Sequence, residues 1–161
     1  MSAIELAMKI EEKDEGFSEK PYYDTKKIPT YGHGFVCVVN KKLCQPYDPL
    51  PNMSITMQES LERLRGLAEV NEQTLLNNPD LSKAYNKCND VRKATMLSMA
   101  HQLGVYGLLK FKAMLAAIAR EDWDEAHDEC LDSTAARLDA PARFHRNANM
   151  LRTGIMDKYY D

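Results

Sequence analysis

Residues 14–35 read DEGFSEKPYYDTKKIPTYGHGF. Eight residues lie between Glu15 and Asp24, and five more between Asp24 and Thr30. The stretch sets a carboxyl group where a helix ends, a second in the turn that follows, and a hydroxyl on a Gly-rich strand. Cleaving a glycosidic bond commonly needs two carboxyl groups on opposite sides of it, one to donate a proton and one to act on the far face. A hydroxyl in register, here Thr30, can hold the attacking water. The spacing alone is a weak signal, because Asp, Glu and Thr are common residues. The order of elements around it carries the argument.

Working outward, Ser2 and Glu5 form a capping-box pattern, and Ile4, Ala7, Met8 and Glu11/Glu12 follow at helical spacing. This helix is expected to stop near Gly16, a residue suited to a left-handed C-terminal cap. Glu15 then lies at the negative end of the helix dipole, which disfavours the ionised form and suits an acid. From Phe17 to Val39 the pattern is extended and broken by Pro and Gly. It predicts a small antiparallel sheet with turns near Asp24–Lys27 and Asn40–Lys42. Gln45–Asn52, with three prolines, reads as an irregular connection.

Thr56 and Glu59 repeat the capping-box pattern and open a long amphipathic helix carrying Leu61, Leu64, Leu67, Leu75 and Leu76 and ending before Pro79. A helix of about 20 residues spans about 30 Å, enough to tie a sheet lobe to a helical lobe. Beyond Asn89 the chain reads as helix. Val91–Leu103 is apolar on most sides and stops at Gly104, as a buried central helix would. Phe111–Arg120, Trp123–Cys130 and Arg143–Arg152 are expected to pack around it, with Trp123 as a core anchor.

The 161 residues, 44% of them hydrophobic, suit one ordinary domain or two small lobes sharing a core. A net charge of −3 argues against a dedicated nucleic-acid binder. No apolar run approaches the roughly 18 residues of a membrane helix. The first residues, MSAIELAMKIEEKDEG, lack a secretory pattern, so the expectation is synthesis in the cytoplasm with no exit route of its own. Cys37, Cys44, Cys88 and Cys130 show no metal-ligand spacing, so no metal is expected. They read as reduced thiols; the sharper alternative is a Cys37–Cys44 bond formed in an oxidising compartment, which requires the strand ends to face each other.

Two stretches at opposite ends of the chain, taken together, resemble the T-even bacteriophage lysozyme family, the phage endolysins that cut peptidoglycan. At the N-terminal end these are DEG, YYDT and TYGHG; at the C-terminal end VRKATMLSMAHQLG, GLLKF, REDWDEA, PARFHR and RTG follow in family order. The resemblance implies an α+β, mostly helical fold: a sheet lobe over about 16–55, a linking helix over about 56–78, and a helical lobe over about 80–161 completed by the N-terminal helix 2–15. It places the sugar groove between the lobes. By the same resemblance Glu15 is the general acid, Asp24 the opposing carboxylate and Thr30 the water-orienting hydroxyl.

Tyr31, Gly32, His33, Gly34, Gln102 and Arg143 are the candidate substrate contacts. Each also has a plain structural reading: strand packing for Tyr31, backbone approach or a bulge for the glycines, a satisfied polar group for His33. Gln102, late in the buried helix, reads as a core or capping group rather than a catalyst. Arg143 and Arg146 share a helix face, and the family reading sets Arg143 near Glu15. The implied function is a muramidase, without cofactor, that hydrolyses the β-1,4 bond between N-acetylmuramic acid and N-acetylglucosamine and lyses the host. The implied partner is peptidoglycan, and the implied state a monomer that waits in the host cytoplasm and reaches the periplasm and wall through a separate holin-like pore.

A lytic transglycosylase and a non-catalytic glycan-binding module on the same fold are the rivals. A second carboxylate in register speaks against the first, and a chemically competent triad against the second. The chain departs from the family where Phe35 replaces the usual His after the second glycine, in the short Pro-rich 45–52 connection, and at Thr134-Ala135-Ala136, where an aromatic is usual.

Overall fold

The computed structural model describes residues 1–161. The chain is α+β and mostly helical, and it divides into two compact units. One comprises Glu11–Gly66; the other comprises Met1–Ile10 with Leu67–Asp161. The boundary falls within two helices, α1 (Ala3–Glu15) and α2 (Met57–Asn77).

Both helices begin as their capping boxes require. Glu5 N–H donates to Ser2 Oγ at 3.2 Å while Ser2 N–H donates to the Glu5 carboxylate at 3.0 Å. Thr56 and Glu59 make the same reciprocal pair, both bonds at 3.1 Å. Each box satisfies N–H groups that the first helical turn leaves without intrahelical partners. At its other end α1 closes on Gly16, whose φ of +66° is left-handed and whose N–H donates to Glu12 C=O at 3.1 Å.

In the Glu11–Gly66 unit, β1 (Ser18–Tyr23), β2 (Pro29–Gly32) and β3 (Phe35–Val36) form an antiparallel sheet in the order β1-β2-β3. β2 is central and its residues are mostly buried, so Thr30 faces Tyr22 on one side and Val36 on the other. The expected single sheet is in fact two. β4 (Val38–Val39) and β5 (Lys42–Leu43) make a separate hairpin whose turn residues Asn40 and Lys41 both have positive φ, 51° and 65°. Two successive left-handed residues match the twist of a tight hairpin. The Pro-rich connection that follows is tied to the sheet at three points. Tyr47 N–H donates to Lys27 C=O at 2.9 Å, Ile55 N–H to Glu19 C=O at 3.0 Å, and the Tyr23 hydroxyl to Asp48 C=O at 2.8 Å.

In the helical unit, α3 (Pro79–Tyr85) starts where α2 stops. Asn78 caps it, accepting from the N–H groups of Asp80 and Leu81, with Pro79 in the first turn where a missing N–H costs nothing. α4 (Asp90–Leu109) is the buried helix, with Ala94–Ala100 sealed from solvent. The helix stops at Gly104 as its sequence suggests: φ of 75° and ψ of 162° break it there, and a second, short helical segment beyond the kink runs on to Leu109. α5 (Lys112–Ala119), α6 (Trp123–Leu131) and α7 (Pro141–Thr153) follow. A π-helical turn at Ala135–Asp139 covers the place where the family's aromatic is missing. Arg92 stacks its guanidinium 3.8 Å over the Trp123 ring and donates to Leu151 and Arg152 C=O, pinning the end of α7. No single helix is long and apolar enough to cross a membrane.

The core of this unit includes Ile10, Leu75, Leu81, Met96, Leu97, Ile118, Phe144 and Leu151. Phe144 is fully buried and stacks on Phe111 at 6.1 Å. Truncating a buried Phe loses its transfer free energy and leaves a cavity. Phe144→Ala is expected to cost about 3–5 kcal/mol, measured from the shift of the urea midpoint; a loss under about 1 kcal/mol would contradict this packing.

Candidate active site

Glu15 is the last residue of α1, and the turn between β2 and β3 is shaped around it. That turn, Gly32-His33-Gly34, uses two left-handed glycines, with φ of 60° and 77°. A Cβ at Gly34 would lie 2.9 Å from Glu15 Cδ and closer still to Oε2. Gly34 is therefore the residue whose missing side chain admits the Glu15 carboxyl group. Gly32 has a different reason: a Cβ there would meet the Phe35 ring at 2.8 Å and Ser60 Oγ at 2.9 Å. The two glycines make room for protein atoms, one for a candidate catalytic group and the other for packing.

Asp24 holds the turn between β1 and β2. Its Oδ1 accepts from Lys26 N–H and Ile28 N–H, both at 2.8 Å, and its own N–H donates to Ile28 C=O at 3.1 Å. These bonds form the turn, and by fixing Oδ1 they orient the whole carboxylate. Thr30, only 3% exposed, donates its hydroxyl proton to Ile28 C=O at 2.9 Å. With that proton committed, Oγ1 can offer a water only its lone pairs.

Tyr22 brings these groups into one neighbourhood. It pairs with Thr30 across β1 and β2. Its phenol is held above the ordinary Tyr range by burial first, then by the negative fields of Glu15 and Asp24. Its pairing with Thr30 makes Tyr22 a candidate member of the same site. Its sequence context, a Tyr in a strand, does not distinguish it from packing.

His33 turns inward. It is 2% exposed, its N–H donates to Ser60 Oγ at 3.1 Å, and its Nδ1 meets the same oxygen at 2.5 Å. Phe17 lies against the ring at 5.2 Å. A neutral ring can accept at Nδ1 from the Ser60 hydroxyl. Tyr31 meets Arg63, whose Nη1 donates to its hydroxyl at 3.4 Å and whose guanidinium lies 4.3 Å over Phe35. Phe35, buried beneath Arg63, is core in this unit. Ser60 and Arg63 both lie on α2, more than 25 residues from their partners, and carry no local sequence signal for these roles.

Gln102 and Arg143 belong to the helical unit. Gln102 Oε1 is buried and accepts no hydrogen bond from the protein. Arg143 donates from Nη2 to Ser98 Oγ at 3.1 Å. Its neighbour Arg146 donates to the Tyr160 hydroxyl at 3.0 Å and stacks 4.0 Å over the Tyr159 ring, so that pair of arginines is not a freely solvated face.

No protein-family model matches the chain. Among curated proteins it is 28% identical over 91% of its length to the pre-baseplate central spike protein of Enterobacteria phage T4, and it spans 28% of that protein's length. It is also 28% identical, again over 91% of its length, to probable T4-type lysozyme 1 and probable T4-type lysozyme 2 of Dictyostelium discoideum, covering 93% of each. These relatives support the resemblance to T4-type lysozymes over nearly the whole chain.

Two outcomes follow from this geometry. Gly34→Ala is expected to keep the fold by circular dichroism and to lower lytic activity at least about tenfold, equal to about 1.4 kcal/mol, because the new methyl group displaces the Glu15 carboxyl; full activity would contradict the close approach. The second concerns pH. Burial lowers the His33 pKa from its usual 6.5, with the field of Glu12 opposing. The unfolded chain then binds a proton that the folded chain refuses, so this contribution to stability is present above about 6.5 and lost as pH falls below it. Urea midpoints from pH 7.5 to 5.5 should decline, and His33→Gln should decline less steeply; equal slopes would show that His33 is not the group responsible.

Proposed function

We propose that this protein is a peptidoglycan hydrolase: a muramidase that cleaves the β-1,4 bond between N-acetylmuramic acid and N-acetylglucosamine. The observation that carries the proposal is the glycine turn that leaves space for Glu15 at the end of α1, in the same unit as an oriented Asp24 and a Thr30 whose lone pairs are available to water. The similarity to T4-type lysozymes supports the same reading.

In the proposed reaction Glu15 is neutral and donates its proton to the glycosidic oxygen as the C–O bond breaks. Positive charge develops at the anomeric carbon and is stabilised by the Asp24 carboxylate. Thr30 Oγ1 accepts a hydrogen bond from a water that Asp24 also holds, and Asp24 takes the proton as that water attacks. The two carboxyl groups must differ in protonation at the working pH, which requires different environments. Tyr22 and Tyr31 are proposed to contact or position the substrate. No cofactor takes part. As with phage endolysins, the enzyme would wait in the host cytoplasm as a monomer and reach the wall through a separate pore, causing lysis.

The test is a turbidity assay on outer-membrane-permeabilised cells with wild type and Glu15→Gln side by side. General acid catalysis is worth roughly 10²–10⁴-fold. The wild type should clear the suspension, and the variant should be folded and at least about 100-fold slower. A variant keeping more than about a tenth of the activity would remove Glu15 from the role, and an inert wild type would favour a glycan-binding module.

A further inference from the structure

The β4–β5 hairpin carries a feature that the proposed reaction does not use. Its register pairs Val39 with Lys42 and Val38 with Leu43. Continued by one step, the same register sets Cys37 opposite Cys44, and Cys44 N–H donates to Cys37 C=O at 2.9 Å. Residues directly opposite in an antiparallel pair project on the same face. Residues directly opposite in an antiparallel pair have Cα atoms about 4.5–5.5 Å apart, inside the range that a disulfide spans. All four cysteines are free thiols in this structure, as the sequence reading expects, and the register singles out Cys37 and Cys44 as the pair placed to react.

We propose that Cys37 and Cys44 form a cross-strand dithiol site that a small-molecule disulfide oxidises to an intramolecular disulfide at the base of the hairpin.

Three further observations support this site. Both are buried, Cys37 fully and Cys44 with 7% of its surface exposed, so of the two Cys44 is the one an oxidant meets first. Burial and the neighbouring Cys44 both hold the Cys37 thiol above its ordinary range, which makes it the slower nucleophile and suits it to the second step. The remaining pair does not compete: Cys88 and Cys130 lie on separate elements of the helical unit, and Cys88 directs its thiol to Ala84 C=O and the Met96 sulfur. The hairpin also has reason to need a staple. Its strands are two residues each, and Val38, Val39, Lys42 and Leu43 are all exposed. Two-stranded hairpins of this kind are marginal in water, and only the cysteines at the base are buried.

The chemistry balances as thiol–disulfide exchange. The Cys44 thiolate attacks one sulfur of the oxidant, forming a mixed disulfide and releasing the other half as a thiolate. Cys37, deprotonated by solvent, then attacks Cys44 Sγ, and the second half of the oxidant leaves as a thiolate. Two cysteine thiols lose two electrons, the oxidant gains two, and two equivalents of reduced thiol form. The crosslink closes the 37–44 loop. Because Cys37 N–H donates to Pro29 C=O at 2.9 Å, it also clamps the hairpin to the strand that carries Thr30.

The experiment treats the native full-length protein with glutathione disulfide, removes the oxidant, unfolds the protein and titrates thiols. Two of the four cysteines should be lost, the intact mass should fall by two hydrogens without a glutathione adduct, and peptide mapping should join Cys37 to Cys44. The thermal midpoint should rise by roughly 5 °C over the reduced protein. Cys37→Ser should instead retain glutathione on Cys44, while Cys88→Ser/Cys130→Ser should form the bond as wild type does. Four titratable thiols after treatment, or a bond mapped to Cys88 or Cys130, would overturn the proposal. The mapping on wild-type protein decides the matter even if a variant fails to fold, and it is independent of whether the chain is a muramidase.

Discussion

The candidate site depends on the space left empty at Gly34. A helix ending in a carboxyl group can meet a tight β turn only if the turn presents backbone, and any Cβ at this position would occupy the place of the Glu15 carboxyl. The left-handed φ of 77° means that L residues would be strained there even without the collision. The neighbouring Gly32 allows the turn to close over Phe35 and Ser60, and His33 between them is locked by Ser60. The glycine turn thus joins three demands: chain reversal, room for Glu15, and a buried polar anchor to α2.

The rest of the arrangement extends from the same strand. β2 ends in this turn and begins beside the Asp24 turn, so a four-residue strand connects the turn that carries Asp24 with the turn that makes room for Glu15, with Thr30 on it. The bland reading of Asp24, a turn former, and its catalytic reading do not exclude each other. The bonds that make the turn also aim the carboxylate. The same holds for Thr30, whose bond to Ile28 C=O is good strand-end packing and also leaves an oxygen that can only accept.

Local features were legible in the sequence because their causes are local. The capping boxes at Ser2/Glu5 and Thr56/Glu59, the stop at Gly16 and the break before Pro79 depend on residues within four positions of one another. The family motifs supplied the order of elements and the candidate triad, and the mostly helical α+β fold follows that expectation. What could not be read depends on distant partners. The His33–Ser60 and Arg63–Phe35 contacts join residues 27 or more positions apart. Tyr22 is tied to Thr30 only by the register of β1 on β2. Gly104 belongs with the local features: its helix-stop signal is correct, since the backbone leaves helical geometry there and the turns that follow form a separate short segment beyond the kink.

The central claim is that Asp24 and Thr30 hold a water that attacks the anomeric carbon on the face opposite Glu15. The most direct measurement is the anomeric configuration of the first product, followed by proton NMR during cleavage of a soluble peptidoglycan fragment. Attack by a held water inverts the β bond and yields the α anomer first. A β anomer formed first would make Asp24 a direct nucleophile, and an anhydro-sugar would make the enzyme a transglycosylase; either result would contradict the account.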